Sequence, residues 1–522
     1  MVKNTGLCFY IDKMKILLIK SGNLNTRAIG ITPPLGLMYV ASYVRKTRGD
    51  EVRIFDIRFY KEPLKEIYRI INEFEPDIVG ISALTLEASV MYQIAHFVKI
   101  VTDVPVIAGG PHATSVPEEV MKNEDIDIVI IGEGEITFKE LLDNLDKGQG
   151  IEMVHGIGYR KDNDTILTHR RNTIEHLDII PFPSWDLIEL GKYAETASMS
   201  IIGYGPYMVL LTSRGCPFHC TYCHNIMGKE FRARSVENVL DEMRVLIEEY
   251  HINDFEIIDD ISNFDRERFK QIMRGIISKG WKVALSFPNG VRTDLLDDEA
   301  VRLMRQAGTA EVSIAVETAT PRLQKMVKKN LNLERVKHII DVCVNDGMYV
   351  RGFFMLGFPT ETEEEVKATI DFACKSRMHG ALFFLVNPFG GTELSKQVEG
   401  MGKTPSVIKY EDFDYHAISF NASNVSDKRL HRLYAAAWMR FYFNPIRILR
   451  ILKAKTTWND LPYYFYVLLK NLFTPKGNQR LVLEPVDIEF KRINKKNKLF
   501  LTLAKQTEDY GKVFVYPPVK GE

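Results

Sequence analysis

Three cysteines within eight positions are the residues best suited to do chemistry in this chain: Cys216, Cys220 and Cys223, in the segment SRGCPFHCTYCHN. Their spacing is C-x3-C-x2-C. Three thiolates this close can hold three irons of a cubane cluster and leave the fourth iron without a protein ligand. An open iron is what reductive cleavage of a bound sulfonium needs. A zinc knuckle with His219 or His224 as fourth ligand is the competing use of the same residues. Zinc loops usually join two C-x2-C pairs from separate places, and this chain has no second pair. The remaining cysteines are Cys8, Cys343 and Cys374; six in 522 residues are too sparse for a disulfide scaffold. Cys343 and Cys374 fall on helix faces, as buried small hydrophobes do.

Such a loop needs a rigid mount, and the pattern around it supplies one. Strand-like runs occur at YMVLLTSRG, Asp254–Asp260, Val283–Gly290, Glu311–Thr318, Tyr349–Phe358 and Ala381–Pro388. Between them lie helix patterns at Val236–Tyr250, Arg266–Ser278, Asp297–Ala307, Leu333–Asp346 and Glu363–Arg377. These repeats predict a partial (β/α)6 barrel, shorter than the eightfold one, with its active-site residues at the carboxyl ends of the strands. The cysteine loop follows the first strand. Upstream, five apolar runs (Met14–Lys20, Val52–Asp56, Asp77–Leu84, Val104–Gly110, Ile126–Gly132) alternate with helix patterns. They predict a flavodoxin-like doubly wound parallel sheet that binds ligands at its carboxyl edge. The fold class is therefore α/β. The sheet domain spans residues 14–150, a hairpin and Pro-rich linker 151–200, the partial barrel 201–425 and a helical C-terminal region 426–522.

The cysteine loop resembles the signature of the radical S-adenosylmethionine (SAM) superfamily, including an aromatic, Tyr222, just before the third cysteine. The resemblance implies a [4Fe-4S] cluster on Cys216, Cys220 and Cys223, with SAM bound to the open iron, and it places Tyr222 near the adenine. Further landmarks follow in order along the barrel. Asp259–Asp260 stand where the family receives the SAM amino group, with Asp260 as the candidate contact. Asn289 and Arg292 lie in the region of the ribose contacts. Glu317, in IAVETAT, resembles a family segment that contacts SAM. Gly352–Phe354 and Leu356–Gly357, in GFFMLGFPTET, resemble the strand near the adenine.

The upstream segments PPLGLMYVASYV, GISALT, AGGPHAT and IGEGEITFKELL look like the cobalamin-binding domain of cobalamin-dependent radical SAM enzymes. That resemblance places Ser82, Thr85, Gly109, Gly110, His112, Gly132 and Glu133 around the corrin or its nucleotide tail. Glycines there would allow close backbone approach. One departure stands out. Corrinoid domains that supply a protein ligand to cobalt carry Asp-x-His-x-x-Gly, whereas this chain has Asp56-Ile57-Arg58, so no lower ligand is expected at that position. No G-x-G-x-x-G follows the first strand, which argues against a nicotinamide site.

The family implies methylation of an unactivated carbon in a small or lipid-like substrate. A radical derived from SAM would abstract hydrogen, and methylcobalamin would deliver the methyl group. Radical oxidative cyclisation or rearrangement, as in relatives of the anaerobic magnesium-protoporphyrin ester cyclase, shares every motif above. A corrinoid- or SAM-binding sensor without turnover is the third reading, and an intact three-cysteine loop argues against it. An electron donor such as flavodoxin or ferredoxin is implied as a partner.

Lys+Arg and Asp+Glu both number 68, giving a formal net charge of zero, so no chain-wide field for nucleic acid is expected. The N-terminus lacks a signal-peptide pattern, and no apolar run reaches the roughly 18 residues of a membrane span. A cytoplasmic protein is expected. In the tail, Arg440, Phe441, Tyr442, Phe443, Arg447, Arg450 and Tyr463–Tyr466 suggest aromatic helices with basic flanks. These could close the barrel, rest on a membrane surface as a peripheral contact, or pack as an ordinary helical cap.

Overall fold

The computed structural model describes residues 13–22, 31–162, 164–194, 196, 199–200, 206–402 and 420–454. The first strand, β1 (Lys15–Lys20, KILLIK), is buried along almost its whole length, as a strand covered on both faces must be. It pairs in parallel with β2 (Glu51–Asp56) and β3 (Ile78–Ser82), followed by β4 (Val106–Gly109) and β5 (Ile128–Ile130). The order β2-β1-β3-β4-β5 is the doubly wound arrangement expected from the sequence. The hairpin β6 (Ile157–Lys161) and β7 (Asp164–Leu167), read from the sequence as a separate unit before the linker, instead extends this sheet antiparallel at its β5 edge.

The second sheet holds six parallel strands in the order β15-β14-β13-β12-β11-β8. They are β8 (Tyr207–Leu210), β11 (Asp254–Ile257), β12 (Ala284–Val291), β13 (Thr309–Glu317), β14 (Tyr349–Leu356) and β15 (Gly380–Leu385). Their spatial order follows the sequence, which is the open (β/α)6 barrel. Local chemistry sets the helix starts. Ser235 accepts a hydrogen bond from Asn238 N–H at the head of Val236–Tyr250, and a Thr362/Glu365 capping box opens Glu363–Lys375. Between the sheets a two-residue antiparallel ladder, β9 (Ser213–Arg214) with β10 (Arg232–Ala233), pins the two ends of the cysteine loop together.

Past the barrel, helix Asp427–Tyr442 packs on β15. Trp438 and Phe441 contact Phe383 edge-on at 5.9 and 6.2 Å, and Arg429 pairs with Glu363. Arg447 is buried over the Phe441 ring at 3.5 Å and donates to the carbonyls of Met378, Cys374 and Ser376. Phe441, Tyr442 and Arg447 thus serve as a helical cap, while Phe443 is exposed. Among the described residues no helix is long and apolar enough to cross a membrane. Tyr463–Tyr466 lie outside the described residues.

Two histidines sit in these cores as neutral side chains. Burial lowers His112 to about 4, and burial with nearby arginines lowers His379 to about 4. Between pH 4 and the usual imidazole value, the unfolded chain holds protons that the folded chain does not. Stability should therefore be full above about pH 6.5 and fall by roughly 1.4 kcal/mol per pH unit for each histidine as the pH drops towards 4. Urea unfolding midpoints measured across this range should show a shallower acid slope in His379→Asn than in the wild type.

Candidate active site

The cysteine loop is held by backbone contacts from several directions. Gly215 has φ +81°, and a Cβ there would lie 2.1 Å from the Glu230 carbonyl oxygen, so only glycine fits. Cys216 N–H donates to Gly228 C=O (3.3 Å), Cys223 N–H to Cys220 C=O (3.1 Å), and Thr221 N–H to Val327 C=O (3.1 Å). All three cysteines are free and partly buried. Burial pushes the Cys223 thiol up to about 12 and raises Cys216 as well. A cation is what would turn such thiols into thiolates. Among the described residues no three His, Cys, Asp or Glu side chains converge to hold a single metal ion. Three free thiols on one loop held by backbone hydrogen bonds are the donor set that a cluster with one iron per thiolate would use.

The barrel residues expected around SAM surround this loop with different functions. Asp260 is an exposed residue whose Oδ1 lies 3.9 Å from His224 Nε2, and it adds negative charge beside Cys216 and Cys223. Asp259 is not available to a ligand: it is buried and accepts hydrogen bonds from Thr212 N–H (2.7 Å), the Thr212 hydroxyl (2.6 Å) and Ser213. Asn289 donates to Ile258 C=O at 2.6 Å, tying β12 to the end of β11. Arg292 stacks 3.6 Å over Phe218, pairs with Asp294 and donates to Lys329 C=O at 2.7 Å. Tyr222 packs against Phe358 at 5.9 Å. Leu356 is fully buried at the end of β14, so any ligand contact there falls to its neighbours or its backbone.

Glu317 ends β13 with φ +67°, where the register against β14 also shifts. A non-glycine residue held there is strained, and such strain gathers at functional sites. Burial raises its carboxyl pKa, countered by Lys329 at 3.6 Å. Sequence reasoning missed the residue that fixes this region, Gln324. Its amide donates to the carbonyls of Val316 (2.9 Å) and Thr318 (2.6 Å), and its oxygen accepts from Leu331 N–H (3.0 Å). Nothing in the sequence distinguishes a glutamine within PRLQKM from a surface one. Gln324→Met keeps the volume but leaves buried carbonyls unpaired at about 1–3 kcal/mol; a lowered melting temperature and weaker SAM binding by calorimetry are the expected results.

Facing the loop, the carboxyl edge of the first sheet opens on a cavity of about 400 Å³. Ser82, Gly109, Gly110 and Gly132 line one wall, and Ser213, Met227 and Asp260 line the barrel side. A Cβ on Gly109 or Gly132 would meet no atom within 4 Å, while one on Gly110 would strike the Ser82 hydroxyl at 2.5 Å. The cavity continues between helices Leu35–Arg48 and Gly134–Asp146, past Val40 and Phe138. The lining is mostly apolar, and the open space over Gly109 and Gly132 leaves room for the edge of a corrinoid. Thr85 does not line the cavity. Neither does His112, which is fully buried with Nε2 3.2 Å from the Tyr92 hydroxyl. Glu133 borders the cavity, but its carboxylate is engaged by Arg214 and Arg232. Arg58, at the position where a cobalt-ligating histidine is lacking, does line the cavity; Asp56 (2.8 and 2.6 Å) and the Thr32 carbonyl (2.8 Å) hold its guanidinium.

Comparison with known proteins assigns the two parts of the chain to two families. Residues 24–142 match the B12 binding domain family, and residues 210–373 match the radical SAM superfamily. The chain is 33% identical over 441 residues to an uncharacterized methyltransferase of Pyrococcus horikoshii, covering 83% of this chain and 93% of that one. It is 32% identical to the cytidylyl-2-hydroxyethylphosphonate methyltransferase of Streptomyces wedmorensis, over 70% of this chain and 78% of that one. It is 26% identical to the anaerobic magnesium-protoporphyrin IX monomethyl ester cyclase of Rubrivivax gelatinosus, over 80% and 74%. The solved structure of TsrM, a radical SAM methyltransferase from Kitasatospora setae with cobalamin and a [4Fe-4S] cluster bound, matches with a TM-score of 0.64 over 76% of each chain at 18% identity. That likeness is one of fold.

Proposed function

The chain belongs to the cobalamin-dependent radical SAM enzymes, and from that premise we propose that it is a methyltransferase acting on an unactivated carbon of a small or lipid-like substrate. The observation that carries this reading is the shared cavity: Gly109 and Gly132 form one wall, and Asp260, beside the cysteines, stands on the other. A substrate between the two cofactors would meet both. Bound there, the cluster and corrinoid supply one-electron cleavage of SAM and a transferable methyl group. The chain's own contribution is binding and orientation.

Cys216, Cys220 and Cys223 hold the cluster. Asp260 receives the ammonium of SAM. Glu317, fixed by Gln324 and Lys329, orients the same ligand, and Tyr222 closes the adenine side. Arg292 and Asn289 hold the strand ends that face the ribose. Gly109, Gly110, Gly132 and Ser82 would cradle the corrin, and Arg58 lines the same cavity. The apolar cavity walls exclude water from reactive intermediates. An electron donor such as flavodoxin or ferredoxin is required, and a cytoplasmic setting suits the cluster.

The cyclase relative favours one alternative, oxidative ring formation. Anaerobic protein reconstituted with iron, sulfide and hydroxocobalamin, then given SAM, reductant and candidate substrates, separates the two by mass spectrometry. 5′-Deoxyadenosine with S-adenosylhomocysteine and a product 14 mass units heavier is expected. 5′-Deoxyadenosine with a dehydrogenated, unmethylated product would replace the proposal with cyclisation. A protein that takes up a full cluster yet cleaves no SAM would end both.

A further inference from the structure

The carboxylate of Glu133, at the border of the corrinoid cavity, is bound into an ion network with two arginines. On the ladder β9–β10, Arg214 and Arg232 are direct partners, and both guanidiniums bind Glu133: Arg214 Nη1 at 2.9 Å and Arg232 Nη1 at 2.8 Å. Arg214 Nη2 binds Glu135 at 2.6 Å. These four side chains are 3–6% exposed, and their charges cancel. Arg232 also donates to the carbonyls of Ile174 and Met227, each at 2.7 Å.

The network's position in the chain gives it a function. Glu133 directly follows Gly132, a cavity wall residue, and Arg214 stands two residues before Cys216, separated from it only by the conformationally fixed Gly215. Met227, the carbonyl partner of Arg232, also lines the cavity. One carboxylate thus joins the wall of one cofactor site to the base of the other. Desolvated ion pairs are poor glue compared with apolar contact, but arginine–carboxylate pairs fix direction and distance.

We infer that Glu133, Arg214 and Arg232 form a latch that sets the separation between the corrinoid and the cluster. They are positioning residues for methyl transfer. The inference rests on the function proposed above.

The test uses full-length protein loaded with iron, sulfide and hydroxocobalamin, with cobalt reduced to its paramagnetic Co(II) state and the cluster reduced. Pulsed electron paramagnetic resonance then reads the coupling between the two spins. Glu133→Asp keeps the charge and shortens the carboxylate arm. It is expected to hold wild-type iron and corrin, to show a shifted or broadened coupling, and to transfer methyl groups from SAM to reduced cobalamin about 100-fold more slowly, as expected of a roughly 1 Å misplacement. Arg214→Lys, which loses the forked contact, should do the same. In the wild type, loading hydroxocobalamin should slow amide hydrogen exchange at residues 213–216 and 230–233, across the domain boundary. This arm needs no variant to fold.

Wild-type coupling and rate in both variants would overturn the latch, as would exchange at these amides that ignores cobalamin. A wild-type protein that takes up no corrinoid would overturn the proposed function itself, and the latch with it.

Discussion

Gly109→Leu should fold like the wild type and yet lose cobalamin. Gly109 adopts an extended conformation (φ −143°, ψ −171°), open to any residue, so no backbone strain follows from the change. A Cβ there would meet no protein atom within 4 Å. Neither geometry nor packing in the protein alone calls for glycine at this position. The leucine side chain would project into the cavity that the corrin is proposed to fill. We expect a melting temperature within about 4 °C of the wild type, in line with a change below about 1 kcal/mol, and no corrin absorption after reconstitution. The contrast with Gly132 sharpens the test. Gly132 has φ +87°, so its substitution would strain the backbone and confuse the two causes. Full cobalamin retention by Gly109→Leu would place the corrinoid elsewhere.

Cys223→Ala should abolish 5′-deoxyadenosine formation and leave the protein folded. The loop is kept in shape by Gly215 and by backbone hydrogen bonds to Gly228 and Val327, not by the sulfur atoms. Loss of one thiolate removes the ligand of one iron, and no His, Asp or Glu among the described residues is placed to converge with the other two. Iron and sulfide analysis after anaerobic reconstitution should show a depleted cluster. Cys343→Ala is the matching control. Cys343 is wholly buried in the barrel core, its thiol pushed up to about 12 by burial, and it acts there as a small hydrophobe. Its loss should cost roughly 1 kcal/mol of stability and leave SAM cleavage intact. Equal cleavage by the two variants would sink the cluster assignment.

The sequence made the architecture legible because hydrophobic period and strand spacing carry it. The strands from β1 to β5 and from β11 to β15 all lie where their apolar runs fall; β1, β3, β11 and β13 are buried along almost their whole length, whereas β2, at the sheet edge, keeps Glu51 and Arg53 exposed. The cysteine loop was legible for another reason: three soft ligands at short spacing have few other uses. Side-chain direction was not legible. Glu133, Asp259 and His112 sit in segments that resemble a binding motif, yet Glu133 and Asp259 are consumed by protein partners and His112 is buried against Tyr92. Whether a polar group faces a ligand or a neighbouring backbone depends on contacts between distant segments, as with Arg214 reaching Glu133 across 81 positions. Gln324 was invisible for the same reason. The hairpin β6–β7 was found, but its attachment to the first sheet depends on a pairing with β5 that no local pattern encodes.

The open barrel leaves β15 as an outer strand, and the Tyr442 hydroxyl meets it there. That oxygen accepts from Ala381 N–H at 3.0 Å and donates to Ala381 C=O at 2.8 Å. One phenol answers both groups of a residue that another strand would otherwise claim. A strand edge stripped of such cover is a template for another molecule's strand. The helix that ends at Tyr442 covers that edge, so its loss is expected to leave neighbouring copies a place to begin aggregating.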